Sequence, residues 1–162
     1  MNKMIVYYSK NGNCRAVAEM IAEKTRADTY EIIDLTNRKG LIGFLKSGFQ
    51  ARMGKLVKIE PLPPGLLSEA NEVFVVFPIW ASKPAPAMRS FLNQADLKDK
   101  LIQVITCQSS PNTENYKEAV SEIAGILEAK GAKYAGRQTF VGSGPFREPD
   151  LVLLRKQMEE KI

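Results

Sequence analysis

Residues 5–14 run Ile5-Val6-Tyr7-Tyr8-Ser9-Lys10-Asn11-Gly12-Asn13-Cys14. An apolar, β-favouring run gives way to small polar residues around a glycine. A helical pattern then begins at once, with Arg15-Ala16-Val17-Ala18-Glu19-Met20-Ile21-Ala22. A strand that turns sharply into a helix leaves several backbone N–H groups unpaired and converging, and the helix dipole adds positive potential at the same place. Such a turn holds an anion, a phosphate above all. The plainer alternative is a tight strand–helix connection with Ser9 or Asn13 as N-cap.

Outward from this turn, apolar runs alternate with amphipathic ones. Lys3–Tyr8 is expected as a buried strand and Asn13–Thr25 as a helix with Val17, Met20, Ile21 and Lys24 on one stripe. Asp28–Asp34 is a second strand whose polar alternation suits a sheet edge. Gly40–Met53 is expected as a helix, with Leu41, Phe44, Leu45, Phe49 and Met53 at helical spacing. The prolines of Glu60-Pro61-Leu62-Pro63-Pro64 exclude a regular element. Glu72–Phe77 carries a continuous apolar run of the kind covered on both faces. Pro78–Ala85 is expected as a loop, Pro86–Gln94 as a short helix and Lys100–Cys107 as a fourth strand. A helix over Thr113–Lys130 stops at Gly131. Ala132–Val141 forms the fifth strand, Gly142-Ser143-Gly144-Pro145 a turn, and Glu148–Lys161 the last helix.

Five strands alternating with helices predict an α/β domain, a doubly wound parallel sheet with helices on both faces. Right-handed crossovers, an edge-like second strand and central first and third strands give the order 2-1-3-4-5. No linker or repeat interrupts residues 1–162, so one domain is expected. The switch point lies between the first and third strands, and ligands bind there at the carboxyl ends.

Composition narrows the chemistry. The chain of 162 residues has no histidine and two cysteines, which argues against zinc sites, histidine triads and disulfide scaffolds. Lys and Arg number 23 against 18 Asp and Glu, a net +5. Much of the excess is Arg38, Lys39, Lys46, Arg52, Lys55 and Lys58, read as a solvated helix face and loop rather than a nucleic-acid surface. No apolar run spans a bilayer, and the first residues enter a strand directly, so a cytoplasmic protein is expected, without membrane or nucleic acid.

Three loops should share one rim of the sheet: Ser9–Cys14; Pro78-Ile79-Trp80-Ala81-Ser82-Lys83-Pro84; and Cys107-Gln108-Ser109-Ser110-Pro111-Asn112. With these in view the chain resembles the flavodoxin family. Ser9-Lys10-Asn11-Gly12-Asn13-Cys14 is similar to its Thr/Ser-x-Thr-Gly-Asn-Thr phosphate loop, and Phe77-Pro78-Ile79-Trp80-Ala81 to the second flavin loop of small flavodoxin-like proteins. The resemblance implies a flavodoxin-like fold and an FMN site. Ser9, Lys10, Asn11, Gly12, Asn13 and Cys14 would surround the 5′-phosphate. Trp80 would lie against the isoalloxazine, and backbone of Pro78, Ile79, Ala81, Cys107, Gln108, Ser109 and Ser110 would meet its edges. Asn11 and Cys14 replace family threonines, a loss of about 1–2 kcal/mol in phosphate binding. Tyr116 is the nearest candidate for an outer-face aromatic.

Individual residues keep a second account. Trp80 can instead be a packing residue under its loop. Cys14 is read as a structural thiol rather than a nucleophile, because no base partners it. Cys14 and Cys107 fall on the same rim with a strand between theirs, so a separation of about 10 Å and no bridge is expected. Lys83 is either a solvated loop lysine or a cation beside the reduced flavin.

The implied function is an electron-transfer protein without catalytic side chains, meeting redox partners through an acidic face on the partner. It would be a monomer or weak dimer. The alternatives are an NAD(P)H-dependent FMN reductase acting on a quinone or similar small acceptor, and a degenerate member that has lost FMN.

Overall fold

The computed structural model describes residues 1–112, Glu114 and residues 116–162. Its elements are β1 (Lys3–Tyr7), α1 (Asn13–Thr25), β2 (Asp28–Glu31), α2 (Gly40–Arg52), β3 (Glu72–Trp80), β4 (Lys83–Pro84), α3 (Pro86–Gln94), β5 (Leu101–Gln108), α4 (Tyr116–Ala129), β6 (Lys133–Val141) and α5 (Leu151–Lys161).

Five strands form a parallel sheet in the order β2-β1-β3-β5-β6. In the numbering of the five expected strands this is 2-1-3-4-5. The sixth strand, β4, is a correction to the loop expected over Pro78–Ala85. β3 continues through Pro78 to Trp80, and β4 returns antiparallel, pairing Ile79 with Pro84 and Trp80 with Lys83. Ala81 and Ser82 make the turn with φ of 49° and 63°. Two successive positive φ values give a hairpin connection that follows the strand twist, and here residues other than glycine adopt it.

Alternation along the central strands divides the core in two. Ile5, Tyr7, Phe74 and Val76 face α1 and α5, where Val17, Ile21, Leu154 and Met158 meet Ile105 and Phe140. Val6, Val73, Val75 and Phe77 face α3 and α4, against Met88, Phe91, Leu92, Ile123 and Leu127. Period-2 strands covered on both sides produce this division.

Several boundaries shift. β2 ends at Glu31 rather than Asp34, because Ile33 and Asp34 turn away to meet Glu60 and Ile59. Lys24 is exposed and reaches the carbonyl of Met158 at 3.5 Å. The last helix begins at Leu151, with Asp150 as N-cap accepting the Leu153 N–H at 3.0 Å. Thr113, the expected start of the fourth helix, lies outside the described residues.

α2 departs most from its pattern. Leu41, Phe44, Leu45, Phe49 and Met53, the apolar residues at helical spacing, are exposed. The buried positions are Gly43, Ser47 and Ala51. Two buried arginines hold this small-residue side. Arg38 donates to Ser47 Oγ at 3.0 Å. Arg89 donates to the carbonyls of Ala51 at 3.1 Å and Lys55 at 3.2 Å and pairs with Glu122 at 2.5 Å. The helix is fixed to the domain by directional polar contacts, and its apolar side turns outward.

Candidate functional site

A cavity of about 580 Å³ opens at the carboxyl end of the sheet, beside the β1/β3 switch point. Its size falls in the range of small-molecule sites. The turn between β1 and α1 contributes Lys10, Asn11 and Asn13; the end of β3 and its turn contribute Pro78, Ile79, Trp80 and Ala81; β5 and its loop contribute Cys107, Gln108 and Ser109. Ten of the fourteen residues expected from sequence therefore line one cavity. Ser9, Gly12, Cys14 and Ser110 do not line it and act from behind.

Behind the lining, Ser9 Oγ accepts the Gly12 N–H at 3.1 Å, which tightens the turn. Gly12 has φ of 97°, and a Cβ there would lie 2.9 Å from Pro149 Cγ, so glycine is required twice over. The first helical hydrogen bond runs from Ala16 N–H to the Gly12 carbonyl at 2.9 Å. Among the described residues, the N–H groups of Asn11, Asn13, Cys14 and Arg15 have no protein acceptor. Four donors are thus free at the start of a 13-residue helix.

The amides of Asn11 and Asn13 face another way. Asn11 Nδ2 donates to the Gly144 carbonyl at 3.1 Å, and Asn13 bonds both the N–H and the carbonyl of Ser143. The side chains expected around a phosphate instead secure the segment after β6, and the free donors of the turn are its backbone N–H groups.

Trp80 is half-buried and held on two sides. The Arg38 guanidinium lies 5.1 Å from its ring centroid, and Tyr8 meets it edge-on at 5.7 Å. It packs against the core, as its second account had it, and also lines the cavity. Arg38 in turn is buried and paired with Asp34 at 2.5 Å. That corrects the reading of Arg38 as part of a solvated basic face. Burial, with the nearby Asp34 charge, raises the Tyr8 phenol far above its usual range.

Gln108 is buried at the cavity wall. Its Nε2 donates to the carbonyls of Ser110 and Asn112, both at 2.9 Å, which fixes the amide's orientation. Among the described residues, its Oε1 has no partner. A buried acceptor without a donor is costly, about 1–3 kcal/mol, until something supplies one.

The cysteine spacing needs correction. Cys14 and Cys107 are both free and buried in one core cluster, close enough for Cys107 to act on the Cys14 thiol rather than 10 Å apart. The strand-spacing argument placed both thiols in the sheet. Cys14 belongs to the first turn of α1, which crosses the sheet face above β3 and brings it to β5. Burial first, and then Cys107, pushes the Cys14 thiol well above its ordinary value, which favours the protonated thiol over the reactive thiolate.

No family model matches the chain. An uncharacterised protein of Archaeoglobus fulgidus is 29% identical over 130 residues, covering 80% of this chain and 81% of that protein. Among solved structures, a Bacteroides uniformis protein assigned as a flavoprotein superposes with a TM-score of 0.77 at 16% identity, over 98% of this chain and 97% of the other. A Lactobacillus acidophilus flavoprotein in complex with FMN gives 0.65 at 18% identity, over 85% and 92%. The flavodoxin, WrbA-like protein of Agrobacterium tumefaciens gives 0.65 at 15%, over 99% of both chains. The fold is flavodoxin-like.

Within this flavodoxin-like fold, two parts of the cavity wall escaped the sequence reading. Phe44, Leu45, Ser47, Gly48 and Phe49 enter from α2, and Ser143 and Pro145 from the segment after β6. The second carried a signal: Gly142-Ser143-Gly144 ends a strand on the functional rim. The first carried none, since an apolar helix face is ordinarily core. Lys83 is neither solvated nor free beside the cavity. It pairs with Glu118 at 3.1 Å and Glu122 at 3.5 Å. Tyr116 does not line the cavity; the Arg137 guanidinium lies 5.1 Å from its ring.

Among the described residues, no group of three or more His, Cys, Asp or Glu could hold a metal ion. No helix of theirs is long and apolar enough to cross a membrane.

Proposed function

We propose that the protein binds FMN and works as a flavodoxin-like electron-transfer protein. The observation that carries this reading is the donor–acceptor pattern of the cavity at the switch point. Free backbone N–H groups stand at its β1–α1 turn, and the fixed, unpartnered Oε1 of Gln108 stands at its β5 wall. FMN has the matching ends: an anionic phosphate and an imide N–H on the pyrimidine edge of its ring.

The residues fit that ligand. Backbone N–H groups of Asn11–Arg15 would hold the phosphate, with Lys10 adding charge. Gln108 Oε1 would accept the imide N–H. Trp80, Ile79, Phe49 and Leu45 would bury the ring and exclude water. When bound, the flavin supplies the redox chemistry, and the protein sets its access and surroundings. Among the cavity's lining residues only Lys10 and Cys107 are titratable. With so few proton-transfer groups, the lining favours an electron carrier over an acid–base enzyme.

Titrating flavin-free protein with FMN tests the reading. Flavin fluorescence should be quenched with one-to-one stoichiometry, since aromatic contact with Trp80 deactivates the excited ring. Unchanged fluorescence at micromolar concentrations would remove FMN. Mixing the loaded protein with NADPH then separates carrier from reductase: rapid bleaching of the flavin absorbance would identify a reductase acting on a small acceptor.

A further inference from the structure

The outward side of α2 is largely apolar. Leu41 is 66% exposed and Ile42 81%, and Leu45, Phe49 and Met53 extend the same side. A 13-residue helix is about 20 Å long, so these side chains make one continuous apolar strip. Contiguous exposed apolar surface of this kind marks an interaction site.

The charge around the strip is one-signed. From Arg38 to Lys58 there are six basic residues and no acid, whereas the rest of the chain has 17 basic against 18 acidic. Arg38 is buried in its pair with Asp34, and Arg52 is held by Glu118 at 2.9 Å. Lys39, Lys46, Lys55 and Lys58 are exposed and make no ion pair among the described residues. Lys46 stands within the strip, four residues after Ile42 and three before Phe49.

These charges discriminate among occupants. A second copy of the chain would bring basic strip against basic strip, which like-charge repulsion opposes. A lipid surface prefers a helix whose charges are segregated from its apolar side, whereas Lys46 and Arg52 interrupt this one. An apolar protein patch with acidic residues at its rim matches both features. The strip also runs to the cavity mouth, because Phe44, Leu45 and Phe49 are exposed and line the cavity at once.

From this we infer that the outward face of α2 is the docking surface for an acidic redox protein, whose own redox group is thereby brought to the cavity mouth. The docking face rests on the surface itself; the redox character of the partner rests on the flavin reading. Encounters of electron-transfer proteins are small, below about 1,200 Å² in total, which suits one exposed helix.

The test uses ¹⁵N-labelled protein and two probes of opposite charge, an acidic [2Fe–2S] ferredoxin and a basic cytochrome c. At about 20 mM salt the ferredoxin should shift or broaden amide signals of residues 41–53, and about 300 mM salt should abolish the effect. Cytochrome c should leave them unchanged. Ile42→Glu and Lys46→Glu should each weaken the ferredoxin response about tenfold. Neither residue lines the cavity, so both variants should quench FMN as the parent does. If the parent fails to quench FMN while the ferredoxin response persists, the flavin reading fails and the docking face stands.

Three results would overturn the proposal. One is a ferredoxin response that is absent, lies on another face or is matched by cytochrome c. Another is sedimentation with phosphatidylserine–phosphatidylcholine vesicles that Ile42→Glu abolishes, which assigns the strip to a lipid surface. The third is a dimer in sedimentation velocity that Ile42→Glu dissolves, which assigns it to a second copy.

Discussion

Asn13 and Ser143, 130 positions apart, are joined by two hydrogen bonds: Asn13 Nδ2 donates to the Ser143 carbonyl at 2.9 Å, and Asn13 Oδ1 accepts the Ser143 N–H at 3.2 Å. The first residue of α1 thereby holds the segment after β6 against the β1–α1 turn. Asn13→Ala removes both bonds and leaves two partly buried backbone groups without their partner, a cost of about 1 kcal/mol. The expected readout is a lower urea midpoint and faster tryptic cleavage after the exposed Arg147. An unchanged cleavage rate would show that the segment is held elsewhere.

Gln108 yields a prediction about ligand chemistry. Gln108→Leu should weaken FMN about tenfold, the worth of one hydrogen bond to a buried amide. FMN methylated at the imide nitrogen lacks that donor, so it should bind the parent weakly and the variant no more weakly. A parent that binds both flavins equally would mean that Gln108 does not contact the imide.

The pair of Arg38 and Asp34 is almost fully buried and supports Trp80. Arg38→Met leaves the Asp34 carboxylate without its partner and should cost about 3–5 kcal/mol. Replacing both, as Arg38→Met with Asp34→Leu, should recover much of that stability. Trp80 fluorescence should still shift in the double variant, because the cation over its ring is gone. Equal melting temperatures for the single and double variants would contradict this.

Stability should fall on the alkaline side. Burial raises both the Cys14 thiol and the Tyr8 phenol above their ordinary values, near 9.0 and 10.0. Each group is neutral when protonated, and the folded chain keeps those protons to higher pH than the unfolded chain does. The stabilisation is complete below the unfolded values and is lost as pH rises past them. Urea midpoints should hold from neutral pH to about 8.5 and drop beyond it. Iodoacetamide should label neither cysteine at about pH 8 until urea is added; prompt labelling of native protein would exclude a buried thiol pair.

What the sequence made legible is what periodicity encodes. β1 and β3 carry continuous apolar runs, Met4–Tyr7 and Val73–Phe77, because both faces are covered, and with the edge-like second strand and right-handed crossovers these placed the switch point beside the Ser9–Cys14 turn. Residues at strand ends were found because chain order and sheet order together fix which loops meet. The hairpin at Ala81 and Ser82 was hidden, since neither residue advertises positive φ as glycine or asparagine would. The helix α2 was legible, but which of its sides is buried was not, for a deeper reason. Burial there is decided by Arg38 and Arg89, distant or flanking residues whose hydrogen bonds favour the small side of the helix. No rule based on hydrophobic spacing contains that information.

The polar anchoring of α2 has a thermal consequence. The side it presents to the domain is Gly43, Ser47 and Ala51, so detaching it would wet little hydrocarbon. Heat-capacity change follows newly hydrated apolar area, at about 0.45 cal/K/mol per Å². Opening of this wall should therefore vary almost linearly with temperature and respond weakly to denaturant, while global unfolding keeps its full curvature. Access to the cavity through this wall should then follow an equilibrium nearly independent of the one that keeps the chain folded.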